Sequence, residues 1–208
     1  MNYKINLVIM ALVLSTSAIG QKAKKERDLS SGLFSVGTRN TFSFFNHDQQ
    51  IGKGIGGQTR LQLNDHFNTE WFFDFITSKN AGYTLRNDYH FGWSIMYSPG
   101  KKTGFDMKFK PYALIGHCFD YSMVREQKNK ANSADNFTMA TQAGAGLHVN
   151  ISPRFDLSTS LQYMVHFGKD IHAEVEDDIV HIEKHDYSTP DGHLLWTLSF
   201  NYKIADLW

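Results

Sequence analysis

From Leu33 onward, apolar and polar residues exchange places at every second position, the period of a strand with two unlike faces. The first such segment sets Phe34, Val36, Phe42 and Phe44 against Ser35, Gly37, Arg39, Thr41 and Ser43. The second sets Ile55, Thr59, Leu61 and Leu63 against Gly56, Gln58, Arg60 and Gln62. In the third, Trp71, Phe73 and Phe75 oppose Asn68, Glu70 and Asp74, with Phe72 out of step. The fourth is the cleanest, with Tyr89, Phe91, Trp93, Ile95 and Tyr97 against Asp88, His90, Gly92, Ser94 and Met96. The sixth opposes Phe137, Met139, Ala143, Ala145, Leu147 and Val149 to Thr138, Gln142, Gly144, Gly146 and His148. The seventh opposes Leu157, Leu161, Tyr163, Val165 and Phe167 to Asp156, Ser158, Ser160, Gln162 and His166. The eighth opposes Leu194, Trp196, Leu198, Phe200, Tyr202 and Ile204 to Thr197, Ser199, Asn201 and Lys203. The fifth, Phe109 to Ser122, is apolar without being sided, so its faces cannot be assigned from the pattern. No amphipathic helix of useful length interrupts the series.

Eight strands with connections of alternating length predict an all-β, eight-stranded antiparallel up-and-down barrel that closes on itself. Tight turns fall at Asp65-His66 and at Ser152-Pro153-Arg154, and a moderate one at Ser98 to Thr103. Longer polar connections follow the first, fifth and seventh segments, and the short Ser78 to Thr84 connection is the one imperfect fit. A soluble carrier of similar strand number keeps its apolar face inside. Here that face would drive roughly thirty large side chains into a lumen that eight strands already fill. The apolar face is therefore expected to point outward to lipid, leaving a polar interior. Trp71, Tyr97, Tyr112 and Tyr202 at one end, and Tyr83 and Tyr121 at the other, are placed to form interfacial girdles.

Composition adds the route and the compartment. The 208 residues carry 21 Lys+Arg and 21 Asp+Glu, so no basic excess invites nucleic acid. Residues 1–20 read as a signal peptide: Lys4 in a short polar start, the apolar Leu7 to Leu14, then small residues with Ala18 and Gly20 before Gln21. Residues 21–32 form a short polar tail on the periplasmic side, and 33–208 the transmembrane barrel. The expected location is the bacterial outer membrane, integral, with both termini periplasmic. Cys118 is alone, which excludes an intramolecular disulfide.

The inward face carries charge in blocks. Arg39, Arg60 and Lys203 sit on the first, second and eighth segments, neighbours once a barrel closes, while Glu70, Asp74 and Asp88 sit on the third and fourth. This predicts a structural ion-pair network that plugs the lumen, with Arg60 directly opposite Glu70 or one diagonal step away and paired to it. The seventh and eighth segments are joined by Gly168 to Gly192, with eight acidic residues against two lysines and with His172, His181 and His185. It reads as a long extracellular loop, a hairpin extending those two strands. A solvated surface is the simplest account of it, and a cation or partner site is the functional one. The sequence His181-Ile-Glu-Lys-His185 is not the zinc-protease order. Lipid A-modifying activity would require a His/Ser/acid set near the outer rim, drawn from His166, His193, Ser78 and Asp74, but no motif ties them together.

Several runs carry a resemblance. Gly54-Ile-Gly-Gly-Gln-Thr-Arg-Leu-Gln-Leu, Asn68-Thr-Glu-Trp-Phe-Phe-Asp, Asp88-Tyr-His-Phe-Gly-Trp-Ser, Gly116-His-Cys-Phe-Asp-Tyr and the ending Ala205-Asp-Leu-Trp208 resemble a family of outer-membrane β-barrel proteins of the Bacteroidetes. More broadly, the chain is similar to small barrels of the OmpA and OmpX kind. The resemblance implies fold and location and brings no activity with it. Trp208 stands where the commonest assembly signal has Phe, and Asp206 interrupts the outward ladder, so the last strand is expected to stop near Ile204. The expectation is a non-enzymatic envelope component without cofactor, metal or catalytic residues. Its expected partners are outer-membrane lipid and lipopolysaccharide, the barrel-assembly machinery during biogenesis, and an unidentified protein or ligand at the 168–192 loop. A small channel and a lipid A-modifying enzyme are the alternatives.

Overall fold

The computed structural model describes residues 31–45, 51–80, 82–99, 108–176, 179–186 and 191–208. The expected signal peptide, most of the tail and most of the fourth-to-fifth connection lie outside these residues. Eight long strands form the barrel: β1 (Leu33–Phe45), β2 (Ile51–Gln62), β3 (Phe67–Asn80), β4 (Thr84–Tyr97), β5 (Phe109–Glu126), β6 (Ser133–Asn150), β7 (Phe155–Phe167) and β10 (Asp191–Asp206). Between the last two lie β8 (Lys169–Glu176) and β9 (Ile179–Asp186), which pair only with each other. Every barrel strand is antiparallel to its neighbours, and β1 pairs with β10 to close the ring.

The period-2 pattern becomes two surfaces. On β4, Asp88, His90, Ser94 and Met96 are buried, while Tyr89, Phe91, Trp93, Ile95 and Tyr97 are exposed. The same division holds on β7, with Asp156, Ser158, Ser160 and Gln162 inside and Leu157, Leu161, Tyr163 and Phe167 outside. A long side chain can turn inward where the facing position is small. A Cβ on Gly92 would lie 2.5 Å from the Phe72 ring. That is why Phe72, out of step in the sequence, is accommodated in the lumen.

Strand β5 resolves what the pattern left open. Tyr112, Leu114, Cys118, Asp120, Ser122 and Val124 are buried, and Pro111, Ala113, Ile115 and Phe119 are exposed. Tyr112 is therefore not part of a girdle: it lies inside, its ring stacked on His148 with centroids 4.3 Å apart. Trp71 and Tyr97 do face outward. The last strand also differs from expectation, running on through Asp206, which pairs with Leu33. A bulge between Phe34 and Ser35 absorbs the change of register, and the Trp208 indole then donates to Ser31 Oγ at 2.7 Å.

The 168–192 segment holds a hairpin, but not one that prolongs β7 and β10. Strand β7 ends at Phe167, and Gly168 turns the chain at φ +124°, a conformation that favours glycine. The β8–β9 sheet then leans on the arm that β5 and β6 extend past the ring. The side-chain amide of Asn132 donates to the Val180 carbonyl at 2.8 Å, and that of Asn136 to the Lys169 carbonyl. Ile171 and Val180 are buried at 3% and 6% exposure on the underside, while Ile179 on the other face is 60% exposed.

Candidate functional site

The interior is built in layers. Arg39, at the middle of β1, donates from Nε to Asp74 at 2.8 Å and from Nη1 to Glu70 at 2.8 Å, both on β3. Its guanidinium also sits 4.2 Å from the centroid of the Phe72 ring. Arg60 on β2 reaches past its own neighbour: Nη2 lies 2.7 Å from each Asp156 oxygen on β7, and Nη1 lies 2.8 Å from His148 Nδ1 on β6. Lys203 lies 3.8 Å from Asp156 and donates to Asn150 at 3.0 Å. Gln58 donates to Asn201 at 2.6 Å and accepts from Ser199 at 3.1 Å, bracing the seam between β2 and β10.

This arrangement corrects the expected pairing. Arg60 and Glu70 are directly opposed in register, one of the two placements the turn allows. Yet Glu70 takes Arg39, and Arg60 takes Asp156. A guanidinium on a long stem reaches more than one acceptor across a narrow lumen, so adjacency on one sheet does not choose its partner. Asp88 also stands apart from the network, with Arg86 of its own strand donating to it at 2.9 Å. Asp156, His148 and Gln58 complete the network. Their signal in the sequence was only their position on the inward face.

A second layer is apolar. Phe72, Ile76, Cys118, Ala140, Met164 and Leu195 form one buried cluster with contributions from β3, β5, β6, β7 and β10. These strands follow one another around the ring, with Gly92 of β4 in register between Cys118 and Phe72, so the cluster is a continuous apolar band along one side of the lumen.

The third layer lies one inward position nearer the hairpin end. Asp120, Thr138, His166 and His193 follow Cys118, Ala140, Met164 and Leu195 on their strands, and His90 of β4 joins them. The His166 and His193 rings have centroids 4.9 Å apart, and His90 stacks on His193 at 5.9 Å. Asp120 lies between two of them, with one oxygen 3.4 Å from His90 Nε2 and the other 3.3 Å from His166 Nδ1. Of the candidate lipid-modifying set, His166 and His193 thus come together. Asp74 is engaged by Arg39, and the Ser78 hydroxyl is buried without a hydrogen-bond partner.

An apolar outer surface, a plugged polar interior and eight antiparallel strands closed into a ring define an integral β-barrel protein of the outer membrane. The chain belongs to the outer membrane protein beta-barrel domain family, whose model matches residues 7–203. Solved structures agree on the fold. A major outer membrane protein from Thermus thermophilus superposes with a TM-score of 0.58 at 13% identity, covering 83% of this chain and 98% of that one. The N-terminal β-barrel domain of Pseudomonas aeruginosa OprF gives 0.54 at 13% identity, covering 84% and 98%. Neisserial surface protein A gives 0.53 at 15% identity, also covering 84% and 98%. Comparison with curated proteins finds no match.

Proposed function

We propose that this protein is a sealed, non-enzymatic component of the envelope that works from its hairpin end, presenting the β8–β9 sheet to a partner outside the cell. The observation that carries this is the filled lumen. Arg39 and Arg60 tie β1 and β2 to β3, β6 and β7, and the Phe72–Leu195 cluster packs beside Arg39 and fills the adjoining wall. A path for solute would have to break buried ion pairs and then wet an apolar layer. With the signal peptide removed, both termini lie in the periplasm, and the docked hairpin is the built structure beyond the ring on the other side. The exposed apolar band meets lipid and the acyl chains of lipopolysaccharide, and the assembly machinery receives the β1–β10 seam. A lipid A-modifying role has less support. His166, His193, Asp74 and Ser78 face the lumen, where an acyl chain of the outer leaflet does not reach them.

Two measurements test this reading. In planar bilayers the refolded chain is expected to give no steady conductance, and reproducible single-channel steps would overturn the seal. Affinity capture with the intact chain is compared with capture by a chain lacking Ile171 to Ser188. A partner lost with the deletion is expected, and identical partner sets would end the case for the hairpin.

A further inference from the structure

We infer that an arc of cations on the outward face of β2 to β5, formed by Lys53, Lys79 and Arg125, binds the phosphate groups of lipopolysaccharide in the outer leaflet. This rests on the reading above that the hairpin end lies outside the cell. The strand ladder sets the order of outward residues approaching that end. Tyr121 of β5 pairs with Tyr89 of β4, and Tyr89 with Phe75 of β3. Their rings follow in series, with centroids 6.1 Å and 5.0 Å apart. Such a belt marks the edge of the hydrocarbon. Two residues further along each strand, the outward face turns polar. Thr77 pairs with Asn87 on one side and with Lys53 on the other. One step beyond, Lys79 pairs with Leu85, and Leu85 with Arg125.

The occupant follows from charge and position. Lys53 and Lys79 are exposed and Arg125 is half-buried, and among the described residues none of the three forms an ion pair. Asp135 of β6, opposite Met123, is the carboxylate beside them, so the arc keeps a positive excess. The outward positions at the same ends of β1, β10 and β7 are Phe44, Leu194 and Phe167, so the charge sits on one side of the ring. Strands lie about 4.8 Å apart, so Lys53 and Arg125 stand about 15 Å from one another across three intervals. That is the span of a headgroup and not of a single ion. Acyl chains against the apolar band and anionic groups just past the aromatic belt belong to one amphiphile. A zwitterionic phospholipid brings its own ammonium and offers no net charge. Lysine stems lie along apolar surface while their heads reach outward, and a guanidinium grips two phosphate oxygens at once.

The test uses the full chain refolded in maltoside micelles, which carry no phosphate. Binding of bisphosphorylated lipid A, and of the same lipid stripped of its phosphates, is measured by native mass spectrometry and by competition with a fluorescent lipid A. The phosphorylated lipid is expected to bind more tightly. Lys53→Gln/Lys79→Gln/Arg125→Gln is expected to weaken that binding by about 10–100-fold, since each cation at a charged lipid surface contributes up to about fivefold. It is expected to leave the stripped lipid unaffected. Lys108→Gln/Arg154→Gln, exposed at the opposite rim, is expected to change neither. Inorganic phosphate in large excess is expected not to compete. The heat-modifiable gel band shows that each variant is folded. Equal affinity for the two lipids overturns the proposal, as does full binding by the folded triple variant or displacement by inorganic phosphate. Orientation is read separately, by protease access to the hairpin on intact cells. A cut hairpin with no preference for phosphorylated lipid A overturns this site alone. A protected hairpin overturns the outer-leaflet source together with the reading it rests on.

Discussion

Replacing Arg39 by alanine isolates the ion-pair network between β1 and β3. The guanidinium lies 2.8 Å from both Glu70 and Asp74, and the three side chains are 2%, 6% and 0% exposed. Removing it leaves two carboxylates facing one another in a space with little solvent. Breaking a buried pair by deleting one partner costs about 3–5 kcal/mol. With two acceptors on one cation the upper end applies, near ~5 kcal/mol, or about three and a half decades in the folding equilibrium. Loss of the guanidinium from the Phe72 face adds in the same direction. The assay is urea unfolding of the refolded barrel in micelles, read by tryptophan fluorescence and by the heat-modifiable gel band. The variant Arg39→Met/Glu70→Gln/Asp74→Asn separates charge from packing. With all three charges gone, at least half of the deficit is expected to return, because neutral replacement of a buried ionic cluster is often tolerated. A loss below ~1 kcal/mol for Arg39→Ala would match a solvent-exposed ion pair and refute the reasoning. A neutral triple variant no better than the single one would refute it equally.

Three further outcomes are expected. Gly92→Ala places a methyl 2.5 Å from the Phe72 ring and 2.7 Å from the His117 carbonyl, so it is expected to lower stability by about 1–3 kcal/mol in the same urea titration. Phe72→Ala/Met164→Ala opens the apolar cluster and is expected to raise leak current in planar bilayers above that of the parent chain, which is itself expected to give none. Ile171→Asp/Val180→Asp removes two apolar anchors worth roughly 1.5–3 kcal/mol each, so limited proteolysis should cut the hairpin faster while the barrel band persists.

Lipid and lumen impose opposite demands on alternate residues, and that made seven of the eight barrel strands legible. Strand β5 escaped because its inward positions, Tyr112, Leu114, Cys118 and Val124, serve apolar contacts inside the ring. Its two faces therefore read alike. Pairwise register was legible to within one diagonal step: Arg60 stands directly opposite Glu70. Partner choice was not, because it depends on how far a side chain reaches across a closed ring, which local spacing does not encode. The histidine layer was illegible for the same reason. His90, His166 and His193 are far apart in sequence, on three strands, and only closure brings their rings within 4.9–6.4 Å.

The seam between β1 and β10 has a consequence for timing. Leu33 to Phe45 find their second neighbour only in His193 to Asp206, the last barrel strand to be synthesised. Until that strand arrives, β1 and the growing edge each expose a row of unpaired amides, an invitation to pair with the wrong chain. Contacts so remote along the polymer also form slowly, since a long loop must be closed before they repay it. The ring therefore cannot be finished piecemeal. Its final pairing comes after synthesis of the last strand, and the strand-exposed intermediate before it is the state on which the fate of each copy turns.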